Sequence, residues 1–281
     1  MGAEVTEGDA PPVFLRDGDR FLPTASAGSP WGAGLVHGGP PAGLLARAIE
    51  QAAGEGDLQV ARLTIDLFRP VPRSPLAVGV RPLREGRRIA AYEASLYADG
   101  VEVSRASALL LQRSNVALPT HALPPPPWIE SHEGLPTTGL MGRPRQTGTE
   151  PPGPMNYTGF HTTVEVRRVA GEPGTGRGTA WIRIPVPFVE GEETSPLVRL
   201  AATSDFGNAL GNIRPSDAVG FINADINIHR HRLPEGEWIC LETTGVAQEY
   251  GLGLVESVVH DIHGPIGRVS QALIANQRRN D

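Results

Sequence analysis

Asp205 lies in "TSPLVRLAATSDFGNAL", residues 194–210, a stretch that reads as a buried helix. Ser195 is an N-cap type and Pro196 suits the first helical position, so the pattern predicts one helix over Ser195–Leu210. Leu197, Ala201 and Asn208 stack at helical spacing, with Asp205 about 80° from Leu197 on the wheel. A carboxylate on an apolar stripe must be hydrogen-bonded, neutral or engaged in chemistry, and the pattern alone leaves these open. "LVHGG", residues 35–39, opens another helix. Such an entrance can aim backbone N–H groups at a developing oxyanion, or the glycines can serve only a tight entry. Pro40 and Pro41 remove two of the donors. His229 and His231 share a strand face and His260 and His263 lie near a turn, but no carboxylate or cysteine is spaced to complete a metal set. No metal is therefore expected.

The elements that must hold these residues belong to a chain of 281 residues, 40 % of them hydrophobic, a length suited to about two domains. No run of 18 apolar residues could span a membrane. The acidic start "MGAEVTEGDAPP" lacks the apolar stretch of a secretory signal, although Gly2 and Thr6 have the spacing of a myristoylation site. A single cysteine, Cys240, excludes an intrachain disulfide and a thiolate-rich metal site, and its place in "EWICLETT" suits a small buried residue. The net charge of −6, with no basic run that stands out along the chain, argues against a nucleic-acid surface. All 25 basic residues are arginine, which excludes a Walker A loop, Schiff-base chemistry and a Ser-x-x-Lys nucleophile. No Gly-x-Ser-x-Gly elbow is present, and "GTGRGT" at 174–179 lacks the third glycine of a dinucleotide loop.

The segment 116–156 is proline-rich and aperiodic, and divides the chain into an N-terminal unit, 1–115, and a C-terminal unit, 157–281. The two share one plan. Two short extended runs precede an amphipathic helix, and three or four strands follow: "VFLRDGDRFLP", "VHGGPPAGLLARAIEQAAG" and strands to Gln112, then "FHTTVEVRRV" with "GTAWIRIPV", the Ser195 helix and strands to Gln277. "LTIDLFRPVP" matches "INADINIHRHRLP" when Asp66 is set on Asp225, and "RASALLL" matches "RVSQALI" with Arg105 on Arg268 and Ser107 on Ser270. The repeat predicts an α+β unit in which an antiparallel sheet wraps a helix, present twice and joined edge to edge.

The pieces "HGGPPAGLLARAIEQA", "FRPVP", "DGVEVSRASALLL", "SDFGNAL", "INADINIHRHRLPEGEW" and "GRVSQALI" resemble the acyl-CoA thioesterase II family. The resemblance implies a tandem, or double, hotdog with two antiparallel sheets, each wrapping a central helix. It also implies hydrolysis of acyl-CoA to free acid and coenzyme A. In that family an aspartate, a threonine and a glutamine hold the attacking water. The aspartate matches Asp205 and the glutamine Gln271, which falls on Ala108 in the first unit. The threonine falls on Asn223, a departure that keeps a hydrogen-bonding side chain. Strict alternation puts Ile222, Ala224, Ile226 and Ile228 inward and Asn223 outward, so Asn223 takes part only if the strand starts or bulges there. The implied substrate-binding residues are His37, Gly38 and Gly39 at the helix entrance, and Leu200 and Phe206 with Leu44 and Leu45 along a tunnel between the helices. Arg232, with Arg69, Arg73 and Arg268, is the candidate set for the coenzyme's phosphates. No cofactor is implied beyond the coenzyme A of the substrate; the expected setting is cytoplasmic and the expected assembly a homodimer. The alternatives are an acyl-CoA binding protein without turnover and a hotdog hydratase or dehydratase. The latter pairs its aspartate with a histidine five residues on, where this chain has Leu210.

Overall fold

A computed structural model describes residues 10–140, 158–216 and 219–277. The myristoylation spacing at Gly2 and Thr6 and the part of the proline-rich segment from 141 to 156 lie outside the described residues. The first half runs β1 (Phe14–Asp17), β2 (Arg20–Pro23), β3 (Gly28–Ser29), β4 (Gly32–Val36), α1 (Gly39–Ala53), β5 (Leu58–Leu67), β6 (Leu76–Arg84), β7 (Ile89–Ala98) and β8 (Val101–Gln112). The second runs α2 (Phe160–Thr163), β9 (Glu165–Ala170), β10 (Arg177–Arg183), α3 (Pro196–Ser204), α4 (Gly207–Leu210), β11 (Val219–Asn223), β12 (Asp225–Arg230), β13 (Ile239–Ala247), β14 (Leu252–Asp261) and β15 (Gly264–Gln277). Phe160–Thr163, read from sequence as the start of a strand, forms one helical turn instead.

Thirteen of the strands form one antiparallel sheet in the order β1-β2-β6-β7-β8-β5-β12-β15-β14-β13-β10-β9, with β11 also on β15. The order is a palindrome: each half contributes six strands in the same arrangement, meeting at β5 and β12. The half-sheets are therefore continuous, joined by a ladder from Asp225 opposite Asp66 to His229 opposite Arg62. This pairing covers two edges that would otherwise be open to other chains. Ser107 lies opposite Thr64 and Ser270 opposite Asn227, so the ladders make Thr64 the counterpart of Asn227. Setting Asp66 on Asp225 was thus four residues out of register; those two residues face each other across the joint instead.

The core lies on the inner face of the sheet, against the helices. In α1 the run Ala42–Arg47 is buried on every side, and the helix touches β5, β6, β7, β8 and α3. Gly54 closes it at φ +68°, a conformation that disfavours a side chain. The Ser195 side chain accepts from the Val198 N–H at 3.2 Å, the expected cap, with Pro196 first in the helix. The expected single helix breaks in two: α3 ends at Ser204, and α4 starts at Gly207. The remains of the proline-rich segment cross the outside of the second half-sheet. The Trp181 indole donates to the Glu130 carbonyl at 2.8 Å, and Arg167 and Arg168 hold the carbonyls of His132 and Leu140.

Candidate functional site

The break between α3 and α4 falls at Asp205, which caps α3 with its side chain buried. Its carboxylate is met from three directions. His37, between β4 and α1, places Nδ1 2.8 Å from Oδ2. Asn223, the last residue of β11, donates from Nδ2 to Oδ1 at 2.8 Å. The Gly39 N–H at the start of α1 donates to His37 Nδ1 at 3.2 Å and lies close enough to favour the Asp205 anion. Burial pushes the Asp205 carboxyl up, but the charge and hydrogen bond of His37, with those of Asn223 and Gly39, prevail and hold its pKa below the ordinary aspartate value. Asp205 is therefore an anion throughout the neutral range. A carboxylate has about four lone-pair sites, so the contacts of His37 and Asn223 leave room for a further donor.

Gln271 approaches from β15 and is fully buried. Its Nε2 donates to the Ser204 carbonyl over a long 3.4 Å, and Oε1 accepts no hydrogen bond from the described protein. A buried acceptor without a donor is costly, and marks a place where a water or substrate N–H fits. Of the three residues the resemblance names, Asn223 is hydrogen-bonded to Asp205, and Gln271 reaches the carbonyl of Ser204, the residue before it. The inward turn of Asn223 has a local cause. Ala224 lies outside both β11 and β12, and Asp225 uses Oδ1 to accept from the Ala272 N–H at 2.6 Å. That irregularity changes the phase: Phe221 and Asn223 face inward before it, Ile226 and Ile228 after it. Ile222, expected inward, lies opposite the half-exposed Ile274 on the outer face.

The glycines have a steric reason. A Cβ on Gly38 would lie 2.8 Å from the Asp205 oxygens, and one on Gly39 2.5 Å from the Ala202 carbonyl. The entrance of α1 thus needs glycine for close approach, and the Gly39 N–H donates to His37 Nδ1. Around His37 stand Phe206 at 5.0 Å, Phe160 at 5.5 Å and His161 at 6.3 Å between ring centroids, the last nearly parallel. Sequence reasoning missed the direct His37–Asp205 contact and the whole of Phe160 and His161. The one signal was that "HGG" and "SDFG" open and close helices of opposite halves, whose ends a palindromic fold brings together.

Other candidates go elsewhere. Leu44, Leu45, Leu200 and Phe206, expected along a tunnel between the helices, are at most 1 % exposed. Arg232 forms a two-pronged ion pair with the fully buried Asp261 carboxylate and also donates to the Gly264 carbonyl, which makes it a structural residue. Arg69, Arg73 and Arg268 are exposed. His260 pairs with Glu242 and His263 with Glu235, and among the described residues no group of three or more His, Cys, Asp or Glu could hold a metal. Cys240 is buried, and that burial pushes its thiol well up. An opening of about 50 Å³ is lined by Trp31, Pro173, Asn212, Arg214, Gly220 and Phe221. Trp31 precedes the strand that leads to His37, and Phe221 shares a face with Asn223.

Among the described residues no helix is long and apolar enough to cross a membrane. No curated protein sequence matches the chain. Solved structures do. A candidate thioesterase from Novosphingobium aromaticivorans DSM 12444 is 20 % identical with a TM-score of 0.67, over 94 % of this chain and 99 % of its own. A hot dog fold protein of unknown function from Alicyclobacillus acidocaldarius is 16 % identical with a TM-score of 0.65, over 95 % and 96 %. An acyl-CoA thioesterase II from Mycobacterium marinum is 16 % identical with a TM-score of 0.60, over 87 % and 90 %. At these identities the likeness establishes the hotdog fold. The family comes from sequence profiles: residues 27–111 match the acyl-CoA thioesterase N-terminal domain and residues 132–275 the C-terminal domain. The chain belongs to the acyl-CoA thioesterase family, and is an enzyme of thioester hydrolysis.

Proposed function

We propose that the two halves are hotdog units sharing one continuous sheet, and that Asp205 and Gln271 hold the water that attacks the acyl-CoA carbonyl. The observation that carries this reading is the buried Asp205 carboxylate, held by His37 and Asn223 with lone-pair capacity left, and the buried Gln271, whose amide reaches the neighbouring Ser204 carbonyl while its oxygen accepts no hydrogen bond from the described protein. The water donates to Asp205 and to Gln271 Oε1, which directs its own lone pair at the carbonyl carbon. As the C–O bond forms, a water proton passes to the Asp205 carboxylate. The tetrahedral intermediate then collapses, the C–S bond breaks, and coenzyme A leaves with a proton returned to its sulfur. Asn223 fills the threonine's place by fixing the carboxylate. Because its pKa is low, Asp205 serves chiefly as an acceptor that orients the water, with His37 holding the carboxylate in place. The opening between Trp31 and Arg214 is where we place the entry of the thioester arm.

The test is release of free thiol across a panel of acyl-CoA substrates. Turnover abolished in a folded Asp205→Asn protein supports the reading; saturable acyl-CoA binding with no thiol released by the wild type overturns it in favour of a binding protein. The 2.8 Å His37–Asp205 contact also favours a second reading, since it supplies from another element the histidine missing at Leu210. On that reading the pair adds water to an enoyl thioester, and enoyl absorbance falls without any thiol appearing.

A further inference from the structure

The β6–β7 hairpin ends in "RPLREGRRI", away from the helix entrance that carries the site. Arg84, Arg87 and Arg88 are exposed here and line an open cleft of about 830 Å³ with Ile89, Leu111, Gln112 and Ser114. Three large apolar side chains stand among the guanidinium groups: Leu83 is 47 % exposed, Ile89 41 % and Leu111 41 %. Glu85 is the acid of the turn, while Arg81 is engaged with Glu93 at 2.8 Å. The fold does not demand this charge. In the palindromic sheet β13 and β14 correspond to β6 and β7, and their connecting turn, 248–251, carries Glu249 and no arginine. A chain of net charge −6 has gathered arginines and bare aliphatic side chains at one hairpin tip.

We propose that this hairpin tip docks the enzyme on an anionic lipid surface. Charge complementarity selects an anionic partner. The side chains select lipid: aliphatic groups beside arginines enter the headgroup layer while the guanidinium groups meet phosphates at its surface. An open cleft without buried polar groups suits a broad surface better than a small anion. Nucleic acid is a poorer fit, because no aromatic ring stands among the arginines for bases to stack on.

The experiment is sedimentation of the full chain with vesicles of phosphatidylcholine, with and without phosphatidylglycerol, at low and high salt. The wild type is expected to bind the anionic vesicles only, and to lose binding as salt rises. Replacing Arg84, Arg87 and Arg88 by Gln should weaken binding about a hundredfold, at roughly fivefold per charge. Ile89→Ser with Leu111→Ser should weaken it as well, at unchanged charge. Both variants should keep the wild-type melting temperature and turnover on a soluble short-chain acyl-CoA. Equal binding by the arginine variant, no binding by the wild type, or binding to duplex DNA as tight as to vesicles and indifferent to the Ser variants would each overturn the proposal.

Discussion

At the scale of single residues, the environment of Asp205 makes claims that separate its role from its neighbours'. Asn223→Asp would set a second carboxylate 2.8 Å from the first, and two such charges do not both ionise readily. The acid limb of kcat/KM should therefore move to higher pH, whereas Asn223→Thr should leave it in place. An unmoved limb in Asn223→Asp would mean that this contact does not tune the site. Arg232 makes the opposite claim. Its partner Asp261 is fully buried while Arg232 keeps about a quarter of its side chain in water. Arg232→Ala should cost about 2–3 kcal/mol, reduced from the full cost of orphaning a buried charge by that exposure. Its KM for acyl-CoA should not change; a raised KM with an intact melting curve would restore Arg232 as a phosphate contact. Trp31→Ala, at the opening, should raise KM more than it lowers kcat.

At the scale of elements, the entrance of α1 separates a positioning constraint from a packing one. Gly38 is helical, with φ −63° and ψ −29°, so alanine suits its backbone, but the added methyl would press on the Asp205 oxygens. Gly38→Ala should lose activity with little loss of stability. Gly39→Ala would press on backbone, the Ala202 carbonyl, and should cost about 1–3 kcal/mol of stability. Melting temperature and kcat of the two variants, measured together, decide this; equal effects would refute the distinction. The same elements explain what the sequence made legible. Periodicity, the Ser195 cap and Gly54 marked both helices, and the repeat marked the strands and their joint, because those signals are local. The α3–α4 break was not legible, since "TSDFGNAL" is apolar enough to continue as helix and only the approach of Asn223 and His37 rewards the turn at Asp205. Nor was the phase of Asn223, which depends on Asp225 taking the Ala272 N–H from a strand some fifty residues away. The depth of burial of Leu44, Leu45, Leu200 and Phe206 and the pairing of Arg232 escaped for the same reason: packing and pairing partners come from distant parts of the chain.

At the scale of the whole molecule, the candidate site draws its residues from both halves. His37 and Gly39 come from the first, and Asp205, Asn223 and Gln271 from the second. In the first half Gln271 corresponds to Ala108, so the pseudo-equivalent position lacks the amide. Stability should also depend on pH through this joint. Asp205 has a folded pKa below its unfolded value, so its contribution is full above the unfolded pKa and fades as pH falls through the folded one. Asp261 acts in the same direction: burial pushes its carboxyl up, but the Arg232 hydrogen bond and the backbone donors of Glu235 and His263 prevail. Asp205→Asn should therefore lose less stability between neutral and acid pH than the wild type, by thermal melting across that range; an identical acid loss would contradict the linkage. The most direct test of the central claim is kcat of Asp205→Asn on one acyl-CoA, followed by free thiol, beside its melting curve at neutral pH. The account predicts a folded protein whose turnover falls about 10²–10⁴-fold. A folded Asp205→Asn enzyme with near wild-type turnover would contradict it and return the carboxylate to a structural role.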